Sequence, residues 1–134
     1  MTGGNRAGAR RTTAALALVT LATALLYFGP EYWYRRPLPE GQISMVATIE
    51  SWGPIWPGVF LTAALSLFWC LWRNCHMALA HSIAVGVWIF YATTLILSAA
   101  YSEPPGPILA ATLGYGLAGV HLAMIRVWAD LGVK

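Results

Sequence analysis

Two histidines, His81 and His121, are the residues whose type and spacing come nearest to chemistry. Each stands five positions inside an uncharged, apolar stretch, counted from position 76 for the first and from Arg126 for the second. If both stretches are helices that cross a membrane, the imidazoles share a depth. Paired imidazoles at one level are how membrane bundles ligate haem b, because neutral ring nitrogens are good iron ligands. The alternative is a polar contact that ties two helices together. Haem b is the one cofactor this pair suggests, nothing else in the chain asks for one, and its propionates would find only Arg73 and Arg126.

Other candidate chemistry is weaker. Cys70 and Cys75 flank Arg73, and Cys75-His76 offers too few ligands for a structural zinc site, which takes four. No metal site is therefore expected, and a disulfide is not expected on the side of a membrane where thiols stay reduced. The run from Gly114 to Gly119 spells a dinucleotide-binding fingerprint. That fingerprint works only between a strand and a helix N-terminus, where amides face a pyrophosphate, and here it lies in the middle of an apolar stretch. No serine, histidine and acid set and no paired carboxylates can be assembled at one depth, so no catalytic residue is expected and the chain does not read as an enzyme.

The elements that carry these residues follow from the charges. Only 13 of 134 residues are Asp, Glu, Lys or Arg, and they leave positions 12–30, 51–72, 74–102 and 104–125 without any. Each stretch is close to or above the ~20 residues a helix needs to cross about 30 Å of hydrocarbon. Lipid offers backbone groups no partners, so only helices or closed barrels span it, and barrel strands would alternate apolar and polar residues. These stretches are apolar on all faces. A soluble bundle with 58 % hydrophobic and 10 % charged residues would aggregate. The expected fold is all-α, a single transmembrane domain over 1–134 with spans at about 13–28, 54–72, 76–99 and 108–128. A short interfacial helix is also expected in the first outer loop, where Ile43, Val46, Ile49 and Trp52 recur at helical spacing. The other reading of that segment is a connecting turn packed on the bundle.

Basic residues then set the orientation. Arg6, Arg10 and Arg11 precede the first span, Arg73 lies between the second and third, and Arg126 and Lys134 follow the fourth. The opposite side holds Arg35 and Arg36 against Glu31, Glu40, Glu50 and Glu103. The positive-inside rule puts both termini in the cytoplasm of a multi-pass protein of the cytoplasmic membrane. Basic residues at helix ends are topology signals, so the net charge of +3 implies no nucleic-acid partner. Arg10-Arg11 before an apolar run resembles a secretory signal, but Ala22-Thr23-Ala24 lies inside the run, which favours an uncleaved anchor. Trp33, Trp52 and Trp56 mark the outer boundary and Trp69, Trp72 and Trp128 the inner one, as amphipathic rings do at headgroup level.

Small residues supply the expected packing surfaces. Ala17, Leu21 and Ala24 leave a thin side on the first span. Ala78, Ser82 and Gly86 recur on the third, and Ala110, Gly114 and Ala118, with Gly119 beside them, on the fourth. Such stripes permit close backbone approach, within the chain or between copies. The cores of the spans contain no Asp, Glu, Lys or Arg, which argues against coupled transport and against the small multidrug exporters.

The region from 43 to 128 resembles the small four-pass, holin-like proteins of actinobacterial phages. The resemblance lies in arrangement: an N-terminal anchor, Trp52-Gly53-Pro54-Ile55-Trp56 opening the second span, a basic turn at Arg73, Ala80-His81-Ser82 with Trp88, and a proline-rich outer turn. It departs from many holins in lacking a densely charged tail. The resemblance implies a membrane-permeabilising protein of a phage lysis system that self-associates in the lipid bilayer during host cell lysis. Two other functions fit the same residues. One is an accessory or immunity protein that binds another membrane protein, and the other a haem- or quinone-binding anchor subunit.

Overall fold

The computed structural model describes residues 3–30, 44–102 and 108–132. Trp33 and the proline-rich turn at 104–107 lie outside the described residues. Among the described residues five helices follow one another: α1 (Gly3–Phe28), α2 (Met45–Glu50), α3 (Ile55–Arg73), α4 (Met77–Ala100) and α5 (Leu109–Asp130). All but α2 are long and apolar enough to cross a membrane. Three of these begin and end within two residues of the spans expected from the charge-free stretches. The exception is α1, which begins ten residues before the expected start at 13. Its apolar run nucleates a helix that Ala7, Ala9, Arg10 and Arg11, all good helix formers, extend toward the N-terminus. The extension is tied down where Ala9 enters the core and Arg10 donates to Oδ1 of Asn74.

The four long helices form two tight antiparallel pairs, α1 with α3 and α4 with α5, joined along α3 and α4, with α1 touching α5 more lightly. The α3–α4 turn is sharp because Asn74 and His76 both adopt left-handed backbone, at φ 52° and 51°. Asn tolerates that region better than most residues. The amides of Asn74 and Cys75 both return to the Cys70 carbonyl, which closes the end of α3.

The short helix α2 forms where the 43–52 spacing placed it, and it packs on the bundle. Ile49 is buried, the Met45 amide donates to Ser98 Oγ on α4, and the Val46 carbonyl accepts the Trp56 indole N–H at 2.9 Å. Ser44 caps it by accepting from the Ala47 amide.

Two of the expected interface tryptophans are core residues instead. Trp56 is fully buried, its ring tilted against Tyr27 and Phe90 and edge-on to Tyr91 near the α2 end, and Trp128 is 1 % exposed. The reason is the same in both: each indole N–H has a partner inside the bundle, so the ring need not reach headgroup level to satisfy it. Trp52, Trp69 and Trp72 do face outward. Trp69 and Trp72 meet edge to face at 5.5 Å, with the Arg73 guanidinium 5.7 Å from the Trp69 ring, a cation–π contact.

Candidate functional site: a buried polar ladder

A seam on α1 organises the interior. Thr13, Ala17, Thr20, Ala24 and Tyr27 alternate spacings of four and three, so they share one face, and all five are buried. The alanines let the neighbouring helices approach, and the three polar residues, seven apart, each meet an aromatic or imidazole group from α4 or α5.

The rung nearest the α3–α4 turn is the most elaborate. Trp128 Nε1 on α5 donates to Thr13 Oγ1 at 3.0 Å, and Thr13 Oγ1 lies 3.0 Å from His81 Nε2 on α4. His81 Nδ1 in turn lies 2.9 Å from His121 Nδ1 on α5. Thr13, His81 and His121 have no solvent exposure. Next comes Thr20, whose Oγ1 is 3.4 Å from the Trp88 indole N–H and donates to the Leu16 carbonyl at 2.9 Å. Last, the Tyr27 and Tyr91 hydroxyls meet at 2.9 Å within the aromatic cluster around Trp56, Phe60 and Trp88.

Neutral imidazole carries one N–H, so the histidine rung has two consistent arrangements. In one, Thr13 donates to His81 Nε2, His81 Nδ1–H donates to His121 Nδ1, and the His121 proton sits on Nε2. In the other, His81 Nε2–H donates to Thr13, His121 Nδ1–H donates to His81, and His121 Nε2 is a bare lone pair. Either way the chain of bonds ends at His121 Nε2, a buried atom with no hydrogen-bond partner among the described residues. An unsatisfied buried polar group costs about 1–3 kcal/mol, so this atom is where the polar accounting of the interior fails to close.

The shared depth expected of His81 and His121 is present, and the two side chains are in direct contact. That contact does not fit haem held between them. Axial ligands on opposite faces of a porphyrin stand two metal–nitrogen bonds of about 2 Å apart in a line with the flat macrocycle between them. Here the facing nitrogens are 2.9 Å apart and the ring planes are tilted by 53°.

The small-residue stripes divide between the inside and the outside. Gly114 and Ala118 are buried, and Gly114 sits so close to α4 that an added Cβ would lie 3.0 Å from Ala92 Cβ. Ala78 is half-buried, while Ser82, Gly86, Ala110 and Gly119 face outward, and a Cβ added at Gly86 or Gly119 would meet nothing within 4 Å. On α4 the buried face runs instead through Ala80, His81, Ala84, Trp88 and Ala92. Of the topology residues, Arg6, Arg11, Arg73 and Arg126 are exposed and Arg10 is half-buried against Asn74. Thr13, Thr20 and Trp88 carry the ladder without having stood out as site residues in the sequence. The four-three spacing on α1 is the signal that finds the two threonines, while Trp88 lies on α4 and is outside that row.

The chain matches no family model, no curated protein and no solved structure.

Proposed function

We propose that this protein is a holin-like, membrane-permeabilising protein that acts by lateral self-association in the cytoplasmic membrane, with both termini on the cytoplasmic side. The observation that carries the reading is the contrast between an interior whose polar groups pair with one another, His121 Nε2 excepted, and a small-residue exterior. Inside, the ladder and the aromatic cluster pack the helices against one another, and no Asp, Glu, Lys or Arg lies in the span cores to serve a substrate or a proton. Outside, Thr112, Gly116, Gly119 and Ala123 form a four-three row along α5, all exposed, and Ser82 and Gly86 are exposed on α4. Helices in lipid associate through such rows because backbones can approach closely there. Permeability on this reading belongs to the assembly of copies.

Induced expression in a bacterial host is expected to stop growth and collapse the membrane potential. Gly119→Leu and Gly86→Leu add bulk where the fold has room, so each should delay or abolish the collapse while the protein still inserts and folds. Gly114→Leu is a poor test, since it strikes Ala92 within the same chain. Normal growth and potential at high wild-type expression would sink the permeabilising reading and favour an accessory protein that binds a membrane partner through the same row.

A further inference from the structure

The histidine rung has sulfur neighbours. Met77 precedes His81 by four residues on α4, and Met124 follows His121 by three on α5, spacings that put each methionine on the same helix face as its histidine. Because α4 and α5 are antiparallel, both methionines lie on the α3–α4 turn side of the imidazoles, by about 6 Å and about 4.5 Å along the axes at 1.5 Å per residue. All four side chains are buried, Met124 least so at 6 % exposure, and both methionines belong to one core cluster with Ala80, Ala84 and Trp128.

We propose that His81, His121, Met77 and Met124 form a site for one cuprous ion, a soft, monovalent metal bound between α4 and α5. The facing Nδ1 atoms are 2.9 Å apart. Two metal–nitrogen bonds of about 2.0 Å at a tetrahedral angle hold their nitrogens about 3.3 Å apart, so the pair needs to open by only about 0.4 Å. Binding needs both Nδ1 lone pairs and therefore puts both ring protons on Nε2. His81 Nε2–H then donates to Thr13 Oγ1, whose second neighbour, the Trp128 indole, fixes it in place. A partner of this kind on the far ring nitrogen orients a metal-bound histidine.

Ligand chemistry selects the ion. Among the described residues no group of three or more His, Cys, Asp or Glu comes together, so the set must be completed by thioethers, which favour Cu(I) over zinc or harder ions. Charge selects the same way. No carboxylate lies in the span cores to neutralise a divalent ion, while neutral nitrogen and thioether ligands around Cu(I) leave a single buried positive charge.

The test is anaerobic titration of the purified full chain in detergent with Cu(I), in competition with bicinchoninate. The expected result is one Cu(I) retained per chain. Met77→Leu, Met124→Leu and His121→Gln, which roughly keep side-chain volume, should each weaken retention about tenfold or more, and Cys70→Ser with Cys75→Ser should leave it unchanged. Failure of the wild type to compete with the chelator would overturn the proposal. So would retention that survives the paired methionine substitutions and disappears with the two cysteines, which would put the metal on the thiols at the turn. The outcome does not depend on whether the protein permeabilises membranes.

Discussion

Thr13 shows how much one hydroxyl can carry at the residue scale. It accepts from Trp128 and contacts His81, and so joins α1 to both α4 and α5 through one oxygen. Thr13→Val keeps the shape and deletes the oxygen, leaving an indole N–H and an imidazole nitrogen buried without their partner. Interhelical hydrogen bonds in membrane proteins average about 0.6 kcal/mol and reach about 1.7. Two broken at one atom should therefore destabilise the bundle by about 1–2 kcal/mol in an equilibrium unfolding titration with denaturing detergent. Thr62→Val is the matched control, because exposed Thr62, among the described residues, bonds only to the Gly58 carbonyl of its own helix. An equal loss in both variants would mean that the Thr13 rung contributes no stability across helices.

Helix packing turns on which face of a helix each small residue occupies, and here sequence and structure part company. The spans were legible because charge exclusion from hydrocarbon is a strong, one-dimensional signal, and three helices match it closely. Burial was less so: lipid-facing and core-facing positions are both apolar, so Gly86 and Gly114 look alike in the sequence although one faces outward and the other lies against Ala92. Trp56 and Trp128 were misplaced for a related reason, since an indole at a helix end satisfies its N–H equally well with headgroups or with a buried carbonyl or hydroxyl. The depth of His81 and His121 could be counted along the chain, but the hydroxyl that orients His81 sits on a third helix and could not. The close α4–α5 approach gives a direct check. Gly114→Ala puts a methyl 3.0 Å from Ala92 Cβ and should cost about 1–3 kcal/mol, the usual range for overpacking. Adding Ala92→Gly should restore most of that stability in the same unfolding measurement. If the double variant is no more stable than Gly114→Ala alone, the two positions do not face each other.

For the whole molecule, orientation and architecture can be tested together. The N-terminal half of α1, the α3–α4 turn and the C-terminal end of α5 lie at one end of the bundle, and Arg10 reaches Asn74 across that end. Arg6, Arg11, Arg73 and Arg126 are exposed at the same end, the distribution that the positive-inside rule reads as cytoplasmic. Reporters fused after Arg11, after Asn74 and after Gly132 should therefore agree with one another. Each should be inactive as an alkaline phosphatase, which needs export, and fluorescent as a cytoplasmic reporter. A fusion after Gly53, just before α3 at the opposite end of the bundle, should give the opposite pair of results. The two ways of failing mean different things. If all the fusions reverse together, the bundle stands and only its direction in the membrane is wrong, so the proposed cytoplasmic termini would be withdrawn. If the turn and the C-terminus report opposite sides, α4 and α5 cannot both cross as an antiparallel pair, and with that pair would go the His81–His121 contact on which the copper site depends.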